Sequence, residues 1–106
     1  MQFRNASEAA LEDLKKALIV AEENADFEVE ESSGTLQVLF EEPAAKFVIT
    51  PNSPVRQIWI SALTSSFKLD WSETANAFIL ARTGESLRPL IGRLINEQLQ
   101  EEAVSL

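Results

Sequence analysis

Gln57-Ile58-Trp59-Ile60-Ser61 alternates between two kinds of side chain: the isoleucines share one parity, while the amide, the indole and the hydroxyl share the other. Successive strand residues point to opposite faces of a sheet, so this segment has one aliphatic face and one amphipathic face. If the isoleucines enter the core, Trp59 projects from an open face with Gln57 beside it and Arg56 adjoining. The opposite register buries the indole and turns two β-branched side chains outward. The alternation rule favours the first arrangement, because two β-branched neighbours compete for the core. An exposed Trp beside an amide and a guanidinium is the composition of a binding hot spot.

The same period of two recurs on both sides of this segment. In Asp26-Phe27-Glu28-Val29-Glu30 the apolar residues alternate with carboxylates, which places Asp26, Glu28 and Glu30 on one face of a first strand. Ser32-Ser33-Gly34 signals a turn, and Leu36, Val38 and Phe40 alternate after it, giving a hairpin. Pro43 and two alanines precede a third strand at Lys46-Phe47-Val48-Ile49-Thr50, and Pro51-Asn52-Ser53-Pro54 reads as an ordered connection. A fifth strand is expected at Phe67-Lys68-Leu69-Asp70-Trp71, with Trp71 on the inward parity of Phe67 and Leu69, and a short sixth at Phe78-Ile79-Leu80.

Helical spacing brackets these strands. Ala10, Leu11, Leu14, Ala17, Leu18 and Ala21 recur every three or four residues, with Asn5 expected as the N-cap and Glu8 completing a capping box. Leu87, Leu90, Ile91, Leu94, Ile95 and Leu99 form a second stripe. With Ser86 as its N-cap, Pro89 falls at the third helical position, where no intrahelical N–H bond is lost, and Gly92 is expected to mark a close helix contact. The order helix, strands, helix predicts one α+β domain over residues 1–106. It is a two-layer sandwich, with both helices on one face of an antiparallel sheet of about five to six strands.

The 106-residue chain has 45% hydrophobic and 25% charged residues and a formal net charge of −8. That charge is unevenly placed. Residues 1–42 carry eleven acids against Arg4, Lys15 and Lys16, and no base stands between Glu22 and Glu42, whereas residues 43–106 are balanced. Binding to nucleic acid or an anionic membrane relies on cationic groups, so neither is an expected partner. A basic protein surface or a cation fits better, although a solvated acidic face also serves solubility. No apolar run approaches the roughly 20 residues of a membrane span, and a cytoplasmic protein is expected.

Cys and His are absent. Thiolate chemistry, Cys-ligated zinc and imidazole-based catalysis are therefore excluded, and any metal site must be built from oxygen, which favours hard cations over zinc or copper. No P-loop, dinucleotide glycine fingerprint or HExxH motif is present. A carboxylate pair for glycoside hydrolysis is available by residue type, but so small a two-layer domain offers little cleft. Asp26, Glu28 and Glu30 are spaced about 7 Å apart along a strand, too far for one tight site and suited to shallow, weak ones. Glu22 and Glu23, at the end of the first helix, are the nearest groups that could complete a site.

Pro54-Val55-Arg56-Gln57-Ile58-Trp59-Ile60-Ser61 resembles the P-x-[KRH]-Q-[IV]-W-[LI]-[SA] signature of the frataxin family, its bacterial CyaY group included. Phe67-Lys68-Leu69-Asp70-Trp71 is similar to the strand that follows it there, and Arg82-Thr83-Gly84-Glu85-Ser86-Leu87 to the bacterial lead into the last helix. The resemblance runs over almost the whole chain in matching order. It implies the helix–sheet–helix sandwich and an iron-binding, non-enzymatic protein that regulates iron–sulfur cluster assembly. Carried over by position, weakly bound ferrous or ferric iron would take Glu22, Glu23, Asp26, Glu28 and Glu30. The cysteine desulfurase and its scaffold protein would meet Asn52, Arg56, Gln57 and Trp59. The resemblance implies a monomer capable of metal-dependent oligomers, and the start at Met1 suits a bacterial member. Lys15 and Lys16 stand where bacterial members concentrate acids, confining metal to the helix end and the strand, and Thr50 replaces the usual Asn. The competing reading is an acidic interaction domain with no physiological metal. A ferroxidase or storage role is weakest, since no helix-bundle di-iron motif is present.

Overall fold

A computed structural model describes residues 2–41 and 44–106. Helix α1 (Phe3–Glu22) leads into strands β1 (Glu28–Ser32), β2 (Thr35–Glu41), β3 (Ala44–Asn52), β4 (Gln57–Ala62), β5 (Ser65–Ser72), β6 (Ala77–Leu80) and β7 (Glu85–Ser86), and helix α2 (Leu87–Leu99) follows. All seven strands form one antiparallel meander in sequence order. The expected α+β sandwich is therefore present, with one short strand more than the apolar alternation announced. β7 has only Glu85 and Ser86, too short and too polar to show a period.

The core follows the alternation. Leu36, Val38 and Phe40 of β2, Phe47 and Ile49 of β3, Ile58 and Ile60 of β4, Phe67 and Leu69 of β5, and Phe78 and Leu80 of β6 are all buried. They form one cluster with Leu11, Leu14 and Leu18 of α1 and Leu90, Ile91, Leu94 and Ile95 of α2. Burying a Leu or Ile side chain stabilises by about 1.5–3 kcal/mol, so this shared surface fixes the strand register. Trp71 packs edge-on against Phe78 at 5.2 Å, on the inward side as its parity indicated.

Several local expectations are corrected. Asn5 is not the N-cap: α1 begins at Phe3 after Gln2, and the Asn5 amide donates to the Gln2 side chain at 3.0 Å. Phe3 is buried edge-on against Phe78 at 5.8 Å, and that contact draws the first turn into the core. Asp26 lies outside β1, which starts at Glu28. Continuing the register of Glu28 with Leu39 would set Asp26 opposite Glu41, two like charges across a ladder, which is unfavourable. The chain instead turns at Phe27, whose N–H bonds Ala25 and whose ring meets Phe40 at 6.1 Å.

Pro51 and Asn52 belong to β3 and not to a connection. Pro51 pairs with Ile58 beyond the last pair with β2, Leu36 with Ile49, where β3 has a neighbour on one side only. Ser86 does precede α2 with extended backbone, although its hydroxyl makes no cap bond. Gly92 makes its close contact with the C-terminal segment, since a Cβ there would lie 3.4 Å from Leu106. Asn96 holds that segment by accepting the Ala103 and Val104 N–H groups, each at 2.9 Å. Glu42 and Pro43 lie outside the described residues.

Candidate functional site: an acidic edge and a bare sheet face

The face of the sheet away from the helices is read from the register. Trp59 lies between Thr50 and Lys68, and Gln57 between Asn52 and Asp70. Glu28 pairs with Leu39, and Glu30 with Gln37, on the same parity. Because Leu36, Val38, Ile58 and Ile60 are the buried parity, all these residues share the uncovered face. Glu28 and Glu30 on β1 therefore look the same way as Trp59 on β4. Three strand spacings of about 4.8 Å separate them laterally, roughly 14 Å. A standard interface of roughly 800 Å² per partner is wide enough to cover both.

Trp59 is half-buried and held from two sides. Its indole N–H donates to Gln57 Oε1 at 2.8 Å, and Lys68 Nζ stands 4.8 Å from the ring centroid. Gln57 Nε2 in turn donates to Asp70 Oδ1 at 2.9 Å. Asn52 is half-buried at the end of the same row. Arg56 sits on the adjoining turn after the 3-10 segment Ser53–Val55, in left-handed backbone with φ of 54°, and its guanidinium is exposed. The structure thus gathers Asn52, Gln57 and Trp59 on one face and sets Arg56 at its rim. Lys68 and Asp70 belong to this group and were not singled out from the sequence. The register brings them there: a two-residue turn between the fourth and fifth strands sets Gln57 opposite Asp70 and Trp59 opposite Lys68.

The acids divide into engaged and free. Glu31 faces the helices and pairs with Lys15 at 3.0 Å, an attraction that raises the lysine pKa. Glu8 pairs with Arg4, and Asp13 with Arg88. Glu22 accepts the Val29 N–H at 3.0 Å, so its carboxylate closes the corner between α1 and β1. Glu23, Asp26, Glu28, Glu30 and Glu41 are exposed and have no ion pair or side-chain hydrogen bond among the described residues. Asp26, Glu28 and Glu41 line a hollow of about 470 Å³ with Ala25, Phe27 and Leu39.

Helix α1 delivers its C-terminus to this corner with no basic residue in its last turn. The carbonyl end of a helix is the negative pole of its dipole, so it adds to the acids here instead of offsetting them. Helix stability does not explain Glu22 and Glu23 at that position. Among the described residues no three acidic side chains converge on a point that could hold an ion. The corner is an anionic surface of oxygen donors, suited to shallow cation contacts and to a basic partner.

Comparisons with known proteins agree with this architecture. The model of the Frataxin-like domain matches residues 1–101. An iron-sulfur cluster assembly protein CyaY from Azotobacter vinelandii is 34% identical over 77 residues, covering 73% of this chain and 69% of that protein. The protein of the same name from Pseudomonas putida is 29% identical over 98 residues, covering 92% and 84%. Among solved structures, the frataxin from Psychromonas ingrahamii superposes with a TM-score of 0.76 at 20% identity, covering 99% of this chain and 100% of that one, a likeness of fold. Among the described residues, no helix is long and apolar enough to cross a membrane.

Proposed function

The chain belongs to the frataxin-like family, and from that premise we propose that it serves iron–sulfur cluster assembly as a non-enzymatic module, docking on the cysteine desulfurase and its scaffold and presenting weakly held iron. The relatives named for such assembly support the reading. The observation that carries it is the shared orientation of free carboxylates and Trp59 on the uncovered sheet face. Free carboxylates supply long-range attraction to a basic partner, and the half-buried indole supplies a short-range anchor.

Iron enters as cargo. Only oxygen donors are available at the corner, and a hard cation accepts them. Glu23, Asp26, Glu28 and Glu30 are free to contact it, whereas one oxygen of Glu22 is engaged by the Val29 N–H. The lack of a converging set among the described residues favours a second reading, an acidic docking domain without physiological metal. Anaerobic titration with ferrous iron, followed by backbone amide shifts, separates the two. Saturable shifts confined to residues 22–30 support iron presentation. Amide shifts that stay flat there through the titration remove the metal and leave the docking surface.

A further inference from the structure

We infer that Asp70 is a positioning residue for the docking face, setting the orientation of Trp59 through the Gln57 amide without touching the indole. The inference rests on the reading above that Trp59 is the anchor. Its geometry is a relay across two strands. Gln57 stands opposite Asp70 and Trp59 opposite Lys68, so the four side chains form a rectangle on the open face. Asp70 Oδ1 accepts from Gln57 Nε2 at 2.9 Å, and Gln57 Oε1 accepts from Trp59 Nε1 at 2.8 Å.

The chemistry of the ends dictates the middle. An ionised carboxylate only accepts and an indole N–H only donates. A flipped Gln57 amide would therefore present its oxygen to the carboxylate and its NH₂ to the indole N–H, losing both bonds at once. Asp70 and Trp59 together admit one amide orientation, and the bond to Asp70 keeps Gln57 Oε1 where the indole needs it. Lys68 adds a cation 4.8 Å from the ring centroid on the same side of the relay. Asp70 is exposed and has no second partner among the described residues. Its bond to Gln57 is charge-assisted, the stronger class of hydrogen bond. An anchor already fixed in the free protein forfeits less side-chain freedom when a partner covers it.

The test uses the ¹⁵N-labelled full chain, whose two tryptophans give one indole N–H each. Trp59→Phe identifies the resonance of interest, and the Trp71 signal reports that the fold is intact. In Asp70→Ala the Trp59 indole N–H is expected to shift upfield and exchange faster with water, while Trp71 stays in place. Asp70→Asn keeps an acceptor for Gln57 Nε2 while removing the same charge, so it is expected to retain the wild-type indole signal. Affinity for the desulfurase–scaffold complex is expected to fall roughly fivefold in Asp70→Ala, the worth of one net hydrogen bond, and to stay within about twofold in Asp70→Asn. An unmoved Trp59 signal in Asp70→Ala overturns the inference, as does an equal loss of affinity in both variants, which would make charge alone the cause. If the indole responds as expected but even the wild-type chain fails to bind the complex, the relay stands and the docking reading falls.

Discussion

Glu22 Oε2 accepts the backbone N–H of Val29 at 3.0 Å, joining the last turn of α1 to the outermost strand. β1 pairs only with β2, so one side of it is a free sheet edge. Val29 pairs with Val38, yet its N–H points to Glu22, so the carboxylate covers a donor that an edge strand would otherwise expose. Glu22 and Glu23 are adjacent in sequence and differ in task. One is built into the corner, and the other is free at the helix end.

That difference predicts opposite stability effects. Glu22→Ala removes the acceptor from a part-buried N–H and should cost about 1–2 kcal/mol in urea unfolding. Glu23→Gln removes a like charge from the negative pole of the helix and should leave stability unchanged or raise it by a few tenths of a kcal/mol, roughly. Equal losses in the two variants would contradict the assignment.

The β4–β5 hairpin stores strain. Leu63 and Thr64 form its two-residue turn with φ of 53° and 63°, left-handed values at residues with side chains, and Thr64 is β-branched. Glycine and asparagine are the residues that such a turn prefers. Thr64→Gly should therefore stabilise the fold by about 1 kcal/mol. The denaturation midpoint rises without a change in slope if the account of the turn is right.

Glu85 gives a pH signature. Arg93 grips its carboxylate through two bonds, at 2.8 and 2.9 Å, and Thr83 adds a third. The arginine hydrogen bond chiefly holds the Glu85 pKa below its ordinary value of 4.5, against a smaller opposing effect of burial. A group depressed in the folded state contributes stability above its unfolded pKa and loses it as pH falls through the folded one. Unfolding free energy should therefore decline below about pH 4.5, and the decline should be shallower in Glu85→Gln than in the native chain. Identical acid profiles would show that the pair adds nothing.

The sequence made the sheet legible wherever one face is apolar. Leu36, Val38, Phe47, Ile49, Ile58 and Ile60 declare their own parity, and the outward Trp59 follows from its neighbours. What escaped depends on partners far along the chain. Phe3 does not declare itself as core in the sequence because its partner Phe78 lies 75 residues away, so the helix begins before the position that Asn5 and Glu8 suggest. The Leu63-Thr64 turn carries no glycine or asparagine to announce it, and without that turn the register pairing Gln57 with Asp70 could not be placed. Glu22 reads as one more acid in an acidic run, and only the corner geometry separates it from Glu23. The acidic corner itself was visible as charge arithmetic, but its sharing a face with Trp59 required the register of β1 on β2.

The central claim is that carboxylates at one corner draw a basic partner in, and an indole on the same face holds it. The most direct measurement is the affinity of the purified chain for the cysteine desulfurase across ionic strength, compared with the Asp26→Lys/Glu28→Lys double variant and with Trp59→Ala. Native binding should weaken steeply with salt. The double reversal should be weak at low salt with a flattened slope, while Trp59→Ala should keep the native slope at lower affinity. A double variant that binds with native affinity and native salt slope would contradict the account.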